Sequence, residues 1–244
     1  MPIEMTIDRS SGRWAERAAS LYDADYARRY RDRDNQLQTV KSNQDLIDWL
    51  GGVCDRFTHP IDVLDLGCGT GRYFWGLRRV ATLTGLDASA PMLEEARHPL
   101  HAERLSAVPI ALINGDVMTH AFAPASFDLV YSIGVLAEHV PLDRSVVDRA
   151  HSWLRPGGRF AFTTVHPESP SVPRTWPRRL ASAAVTALPA ATTRALHARL
   201  MGGGMYADER WIGAVLENRF AIESLERFAS DVHLHGRCVA VKAR

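Results

Sequence analysis

The chain has 244 residues, 46% hydrophobic and 23% charged, ordinary globular usage that excludes a disordered or fibrous protein. Its 29 Lys and Arg nearly cancel 28 Asp and Glu, leaving a formal net charge of +1 and arguing against a globally basic nucleic-acid binder. Three scattered cysteines (Cys54, Cys68, Cys238) exclude a disulfide framework and an all-cysteine zinc site. With no signal-like apolar region and no run near 18 apolar residues, the expected setting is cytoplasmic, with no membrane partner.

Residues 1–52 read as a polar helical cover. Arg13 to Arg33 carries Trp14, Leu21, Tyr22, Tyr26 and Tyr30 among arginines, and Thr39 to Leu50 spaces Val40, Leu46, Ile47 and Leu50 as one helical face. From residue 53 to 165 the period changes. Short apolar runs at 61–66, 81–87, 109–115, 127–133 and 158–165 read as buried strands. Helical segments at 73–79, 90–97 and 143–154 separate them, the last ending on Arg155-Pro156-Gly157-Gly158. Strand–helix alternation of this kind predicts an α/β fold with a parallel sheet.

The alternation fails over 166–205, a stretch rich in Pro, Ser, Ala and Arg and too long for a plain connection, so it is expected to be a lid or insertion with short helices. It holds Arg174, Arg178, Arg179, Arg194 and Arg199 against the single acid Glu168. Such a segment can cover a hydrophobic or anionic acceptor, form a solvated face, or make a dimer contact; the chain is expected to be a monomer or homodimer. Residues 206–244 close the chain with a helix over 206–219 and an antiparallel hairpin from strands 220–228 and 232–243.

The densest chemistry is Asp65-Leu66-Gly67-Cys68-Gly69-Thr70-Gly71, set between a strand and an expected helix. Its glycines let the backbone turn tightly and approach a ligand. Asp87, ending the second strand of the core, suits the ribose hydroxyls of an adenosine, and Asp116 after the third suits an adenine amino group. The dinucleotide pattern G-x-G-x-x-G is absent, since Arg72 stands at its third glycine. A pyrophosphate gains nothing from Asp65, whereas a ligand with an ammonium and a sulfonium does.

These segments resemble the class I S-adenosylmethionine-dependent methyltransferases. The similarity rests on Val63 to Gly71, Gly85-Leu86-Asp87-Ala88-Ser89 with Met92, Gly115-Asp116, Phe127 to Ser132, and Leu154 to Gly158, in the family's order over about 61–165. It implies a Rossmann-like, seven-stranded, mostly parallel sheet ending in an antiparallel hairpin, and S-adenosylmethionine as cofactor. Position by position it gives the methionine end to Asp65, Gly67 and Gly69, with Cys68 between them. Asp87 and Ala88 then take the ribose, Gly115, Asp116 and Val117 the adenine side, and Ser132 with its neighbours lines the cofactor. Tyr22 and Tyr30 resemble aromatic residues that close over the sulfonium, although packing the helix down is an equal use for them.

Methyl transfer from a sulfonium needs alignment and exclusion of water, and a base only when the acceptor loses a proton. His139 and His166 follow the fourth and fifth strands of the core and are candidates for that base. His139 can instead merely support the cofactor loop. His233 and His235 alternate on the last strand and, with Trp176 and Tyr206, are expected around the acceptor. No resident metal is expected. The activity expected is methyl transfer to an oxygen or nitrogen of a small molecule. The alternatives are an RNA or protein methyltransferase, although no RNA-binding module is present, or a non-catalytic cofactor-binding scaffold.

Overall fold

The structure, a computed structural model, describes residues 4–7, 16, 20–172, 206–230 and 233–243. The expected insertion over 166–205 and Trp176 lie largely or wholly outside these residues. Eight strands form one sheet: β1 (Glu4–Ile7), β2 (Ile61–Leu66), β3 (Val80–Asp87), β4 (Ile110–Asn114), β5 (Phe127–Ser132), β6 (Leu154–Val165), β7 (Phe220–Ala229) and β8 (Leu234–Lys242). The described α-helices are α1 (Ala24–Leu37), α2 (Lys41–Cys54), α3 (Ala90–Ala96), α4 (Arg144–Trp153) and α5 (Glu209–Leu216).

The sheet order is β1-β4-β3-β2-β5-β6-β8-β7. Pairings from β1 through β6 are parallel, and β8 then runs antiparallel to both β6 and β7. The chain builds outward from β2 to β4, then returns to start β5 on the other side of β2. The strand ends beside that reversal are where open α/β sheets leave a crevice. The five core strands and the two of the closing hairpin fall where the apolar runs predict them. β1 is an eighth, edge strand within the residues read as helical cover.

Helices on both faces explain why the central strands are apolar throughout. Leu64 and Leu66 of β2 face the side where α4 and α5 pack with Val130, Phe160 and Trp211. Ile61 and Val63 face the side that holds Leu50 of α2, Leu83 and Tyr131. By the two-residue alternation of a strand, Asp65 lies on the second face and is 2% exposed. Side-chain caps start the helices: Asp23 Oδ1 accepts from Tyr26 N at 2.8 Å, Ser89 Oγ from Met92 N at 3.2 Å, and Asp208 Oδ1 from Trp211 N at 2.8 Å.

Three local expectations are corrected. The tyrosine-bearing segment is interrupted at Tyr22–Asp23, because Asp23 is extended and caps α1. The glycine turn opens on a short 3-10 turn, Phe74–Gly76, with Leu77 extended, rather than on an α-helix through 79. The helix before Arg155-Pro156-Gly157-Gly158 does stop there, α4 ending at Trp153, but β6 already starts at Leu154 rather than at 158, and Gly157 at φ 80° accommodates an irregular pairing against β5. No helix among the described residues is long and apolar enough to cross a membrane.

Candidate active site

A cavity of about 540 Å³ opens at the carboxyl ends of β2, β3, β4 and β5, under α1 and beside the β7–β8 hairpin. Its floor is the glycine turn. Gly67, Gly69 and Gly71 all have positive φ (75°, 54°, 74°). The need is greatest at Gly67, where a Cβ would sit 2.4 Å from Val135 Cγ2 and force that side chain to shift. Met92 closes the other side of the turn, its Cε 3.3 Å from where a Cβ on Gly69 would stand.

Asp65, Asp87 and Asp116, three of the four carboxylates that line this cavity, stand at the ends of β2, β3 and β4. Asp87 is tied to the turn: Gly69 N donates to Oδ2 and Ser89 N to Oδ1, both at 2.8 Å. Burial raises its pKa, with those N–H groups opposing the rise. Asn114 Nδ2 donates to the carbonyls of Asp87 and Ala88 at 3.1 and 2.9 Å, fixing the end of β3. Asp116 receives Met118 N on Oδ1 at 2.8 Å, while its Oδ2 is buried without a hydrogen-bond partner. Asp65 is pushed up to about 8 by burial, partly offset by the Tyr131 hydroxyl and reinforced by Asp87. A buried acid with a raised pKa and a buried acceptor oxygen without a donor leave this wall incomplete until a cation and a donor arrive.

The tyrosines of the cover form the opposite wall. Tyr22, Tyr26 and Tyr30 line the cavity; the Tyr22 and Tyr26 rings meet edge-on at 5.0 Å, and Tyr26 stacks on Tyr30 at 5.8 Å. Tyr26 has no separate sequence signal beyond the helical spacing it shares with the other two. Polar ties hold α1 in place. Ser89 Oγ donates to Tyr22 O at 2.7 Å, and Arg31 Nη2 donates to Thr70 O at 2.7 Å and Glu95 O at 2.6 Å. Asp34, 1% exposed, accepts from Thr70 Oγ1 and pairs with Arg72, whose guanidinium also lies 4.6 Å above the Tyr30 ring.

His139 lines the cavity from the loop after β5, with Nε2 3.1 Å from the Tyr22 hydroxyl and 3.7 Å from Glu138 Oε1. Burial pushes the Glu138 carboxyl up to about 7. His233 and His235 line it from the hairpin, their rings 5.4 Å apart. His233 Nδ1 contacts Ser171 Oγ at 2.6 Å and His235 Nε2 contacts Ser230 Oγ at 3.2 Å. Val117 also contributes to the lining.

Four expected residues sit elsewhere. His166 does end β6, but its ring is 4% exposed and packed between Glu168 N, which donates to Nδ1 at 3.1 Å, and Glu209, 3.5 Å from Nε2. It forms no part of the cavity wall. Ser132 is fully buried and donates to Leu66 O at 2.8 Å, tying β5 to β2 behind the wall. Gly115 is buried, its N–H donating to Asp87 O at 2.9 Å, and neither it nor Tyr206 lines the cavity. Arg33, Asn43 and Ser230 do line it, though they carry no motif.

Residues 63–158 match a family model described as a methyltransferase domain. The chain is 40% identical over 118 residues to the ubiquinone biosynthesis O-methyltransferase of Serratia proteamaculans, covering 48% of this chain and 45% of that one. It spans about half the length of the curated relatives it matches. Among solved structures it is similar to magnesium protoporphyrin IX methyltransferase of Synechocystis with bound SAM, with a TM-score of 0.63 at 17% identity, over 97% of this chain and all of that one. It is also similar to the N-methyltransferase NodS of Bradyrhizobium japonicum in complex with S-adenosyl-L-homocysteine, with a TM-score of 0.59 at 17% identity, over 86% of this chain and 91% of that one.

Proposed function

We propose, for a chain that belongs to the class I S-adenosylmethionine-dependent methyltransferases, that it moves the methyl group of S-adenosylmethionine to an oxygen of a small-molecule acceptor. The observation that carries the reading is the wall of Asp65, Asp87 and Asp116 around the glycine turn. The residues fit the cofactor. Asp65, buried with a raised pKa, suits an ammonium, and the unpartnered Asp116 Oδ2 suits an adenine amino group. Asp87, held by the turn it faces, suits a ribose diol. Where Gly67 leaves no room for a side chain, the backbone itself forms the floor.

When bound, the cofactor supplies an electrophilic methyl on a sulfonium. The work left to the chain is positioning, drying the site and handling one proton. The tyrosine wall covers the site and presents π faces suited to a cation. His139 is the base that takes a hydroxyl proton onto its imidazole, and Glu138 beside it steadies the resulting charge. A hydroxyl acceptor requires such a base, and the relatives similar over residues of the core include an O-methyltransferase by name. The setting of His139 against Tyr22 and Glu138 therefore favours oxygen over nitrogen.

The test has two stages. Calorimetry should detect S-adenosyl-L-homocysteine binding that Asp87→Ala weakens strongly; no binding would sink the reading. Methyl-labelled cofactor, incubated with protein and separate small-molecule and RNA extracts, should then label the small-molecule fraction. Label entering only RNA or protein would replace the acceptor class.

A further inference from the structure

The cavity wall divides by charge. The carboxylates that line it are Asp65, Asp87, Asp116 and Glu138, all at or just after the ends of β2 to β5. The wall formed by α1, α2 and the β7–β8 hairpin has no carboxylate among the described lining residues, and it carries Arg33, Asn43, Ser230, His233 and His235. Two guanidiniums reach the cavity. Arg72 is neutralised by Asp34 at 2.5 Å. Arg33 makes neither a hydrogen bond nor an ion pair with any described residue, yet its charge is felt across the wall, where burial first and Arg33 second hold the His233 imidazole below its ordinary pKa.

The polar groups that share this wall with Arg33 are imidazoles, a serine and an amide. His235 is kept down to about 4 by burial and by His233, so it carries no charge near neutral pH. Its Nδ1, a ring nitrogen that can donate or accept, is buried without a hydrogen-bond partner. Buried polar atoms left without partners mark a surface completed by a polar ligand. A guanidinium with no partner among the described residues, on a wall with no described carboxylate, selects an anion, because its planar fork matches the two oxygens of a carboxylate or phosphate.

We infer that Arg33, with His233 and His235 beside it, forms an anion-recognising acceptor subsite, so that the small molecule methylated carries a carboxylate or phosphate group. This rests on the methyl-transfer reading for the anion's role, but the subsite can be tested without it.

The test uses the full chain, with and without saturating S-adenosyl-L-homocysteine, titrated calorimetrically with benzoate, phenyl phosphate and the neutral benzamide. The anions should bind about tenfold more tightly than benzamide, a difference typical of one charge-assisted contact. Arg33→Gln should abolish the preference and Arg33→Lys should retain part of it. The stronger of benzoate and phenyl phosphate identifies which anion the site takes. Equal binding of anions and benzamide, no detectable binding of any probe, or a preference that survives Arg33→Gln would overturn the inference. Failure of S-adenosyl-L-homocysteine to bind would instead overturn the methyl-transfer reading, and the cofactor-free titration would still decide the subsite.

Discussion

Arg72 Nη2 lies 2.5 Å from the buried Asp34 carboxylate, joining the helix that covers the cavity to the glycine turn that floors it. Arg72 occupies the position where a dinucleotide fingerprint has glycine, and its side chain turns to α1 and the Tyr30 ring. One residue thus removes the dinucleotide pattern and provides the anchor for the cover.

Breaking that pair should be expensive. Asp34→Ala leaves a mostly buried guanidinium and the Thr70 hydroxyl without their partner, and we expect a loss of about 3 kcal/mol of unfolding free energy. Urea denaturation measures it. S-adenosyl-L-homocysteine affinity should fall in the same variant, because the tyrosine wall loses its tie to the turn. An unchanged denaturation midpoint would remove the pair's assigned role.

Asp65 gives a pH dependence. A carboxyl with its pKa near 8 in the folded, ligand-free protein holds a proton at neutral pH that it must release to meet an ammonium. Binding of S-adenosyl-L-homocysteine should therefore strengthen as pH rises towards 8, by up to about tenfold per unit, and then level off. Asp65→Asn should bind weakly with little of this slope. The stability sign is opposite: from about pH 4 to about 8 the folded state keeps a proton that the unfolded chain has lost, so this group makes stability fall as pH rises.

Gly67→Ala combines a positive φ with a contact at 2.4 Å, so it should destabilise by more than about 1 kcal/mol and impair cofactor binding. Adding Val135→Ala relieves the contact and leaves the backbone strain, so thermal melts of the double variant should show partial recovery. Full recovery would mean that φ at this position costs little.

For the reaction, His139→Ala should lower kcat about a hundredfold on a hydroxyl acceptor and flatten the acidic limb of the pH–rate profile. Tyr22→Phe removes the hydroxyl 3.1 Å from Nε2 and should shift that limb with a smaller loss. A His139→Ala enzyme with full kcat and an unchanged profile would leave the imidazole no part in proton transfer.

Much of the core was legible because its signals are local. Ile61 to Leu66 is apolar on both faces and ends in glycines, so a buried strand and turn follow from neighbouring residues alone, and the same holds from β3 to β6. The carboxylates at the strand ends follow from those strands. What escaped depends on distant partners. Asp34 and Arg72 meet across 38 positions of chain, and nothing around either announces the other. Strand order places His166 at the correct end of β6, but the packing under α5 decides which way its ring turns. β1 has four residues and no flanking signal, and its pairing with β4 identifies it.

The ties along α1 also bear on the timing of turnover. Arg31 and Asp34 fasten this helix beside the glycine turn and Ser89 holds Tyr22 just before it, whereas Arg33, on the same helix, lines the cavity within electrostatic reach of His233 and without a described partner. Exchange at the turn must break several of those bonds; exchange near the hairpin need not. Ordered release is expected, the methylated product leaving first and the nucleoside last, while the hairpin side stays open to anions in the cofactor-free protein. Product-inhibition patterns should show S-adenosyl-L-homocysteine competing with S-adenosylmethionine alone, and competition with both reactants would indicate that either one can leave first.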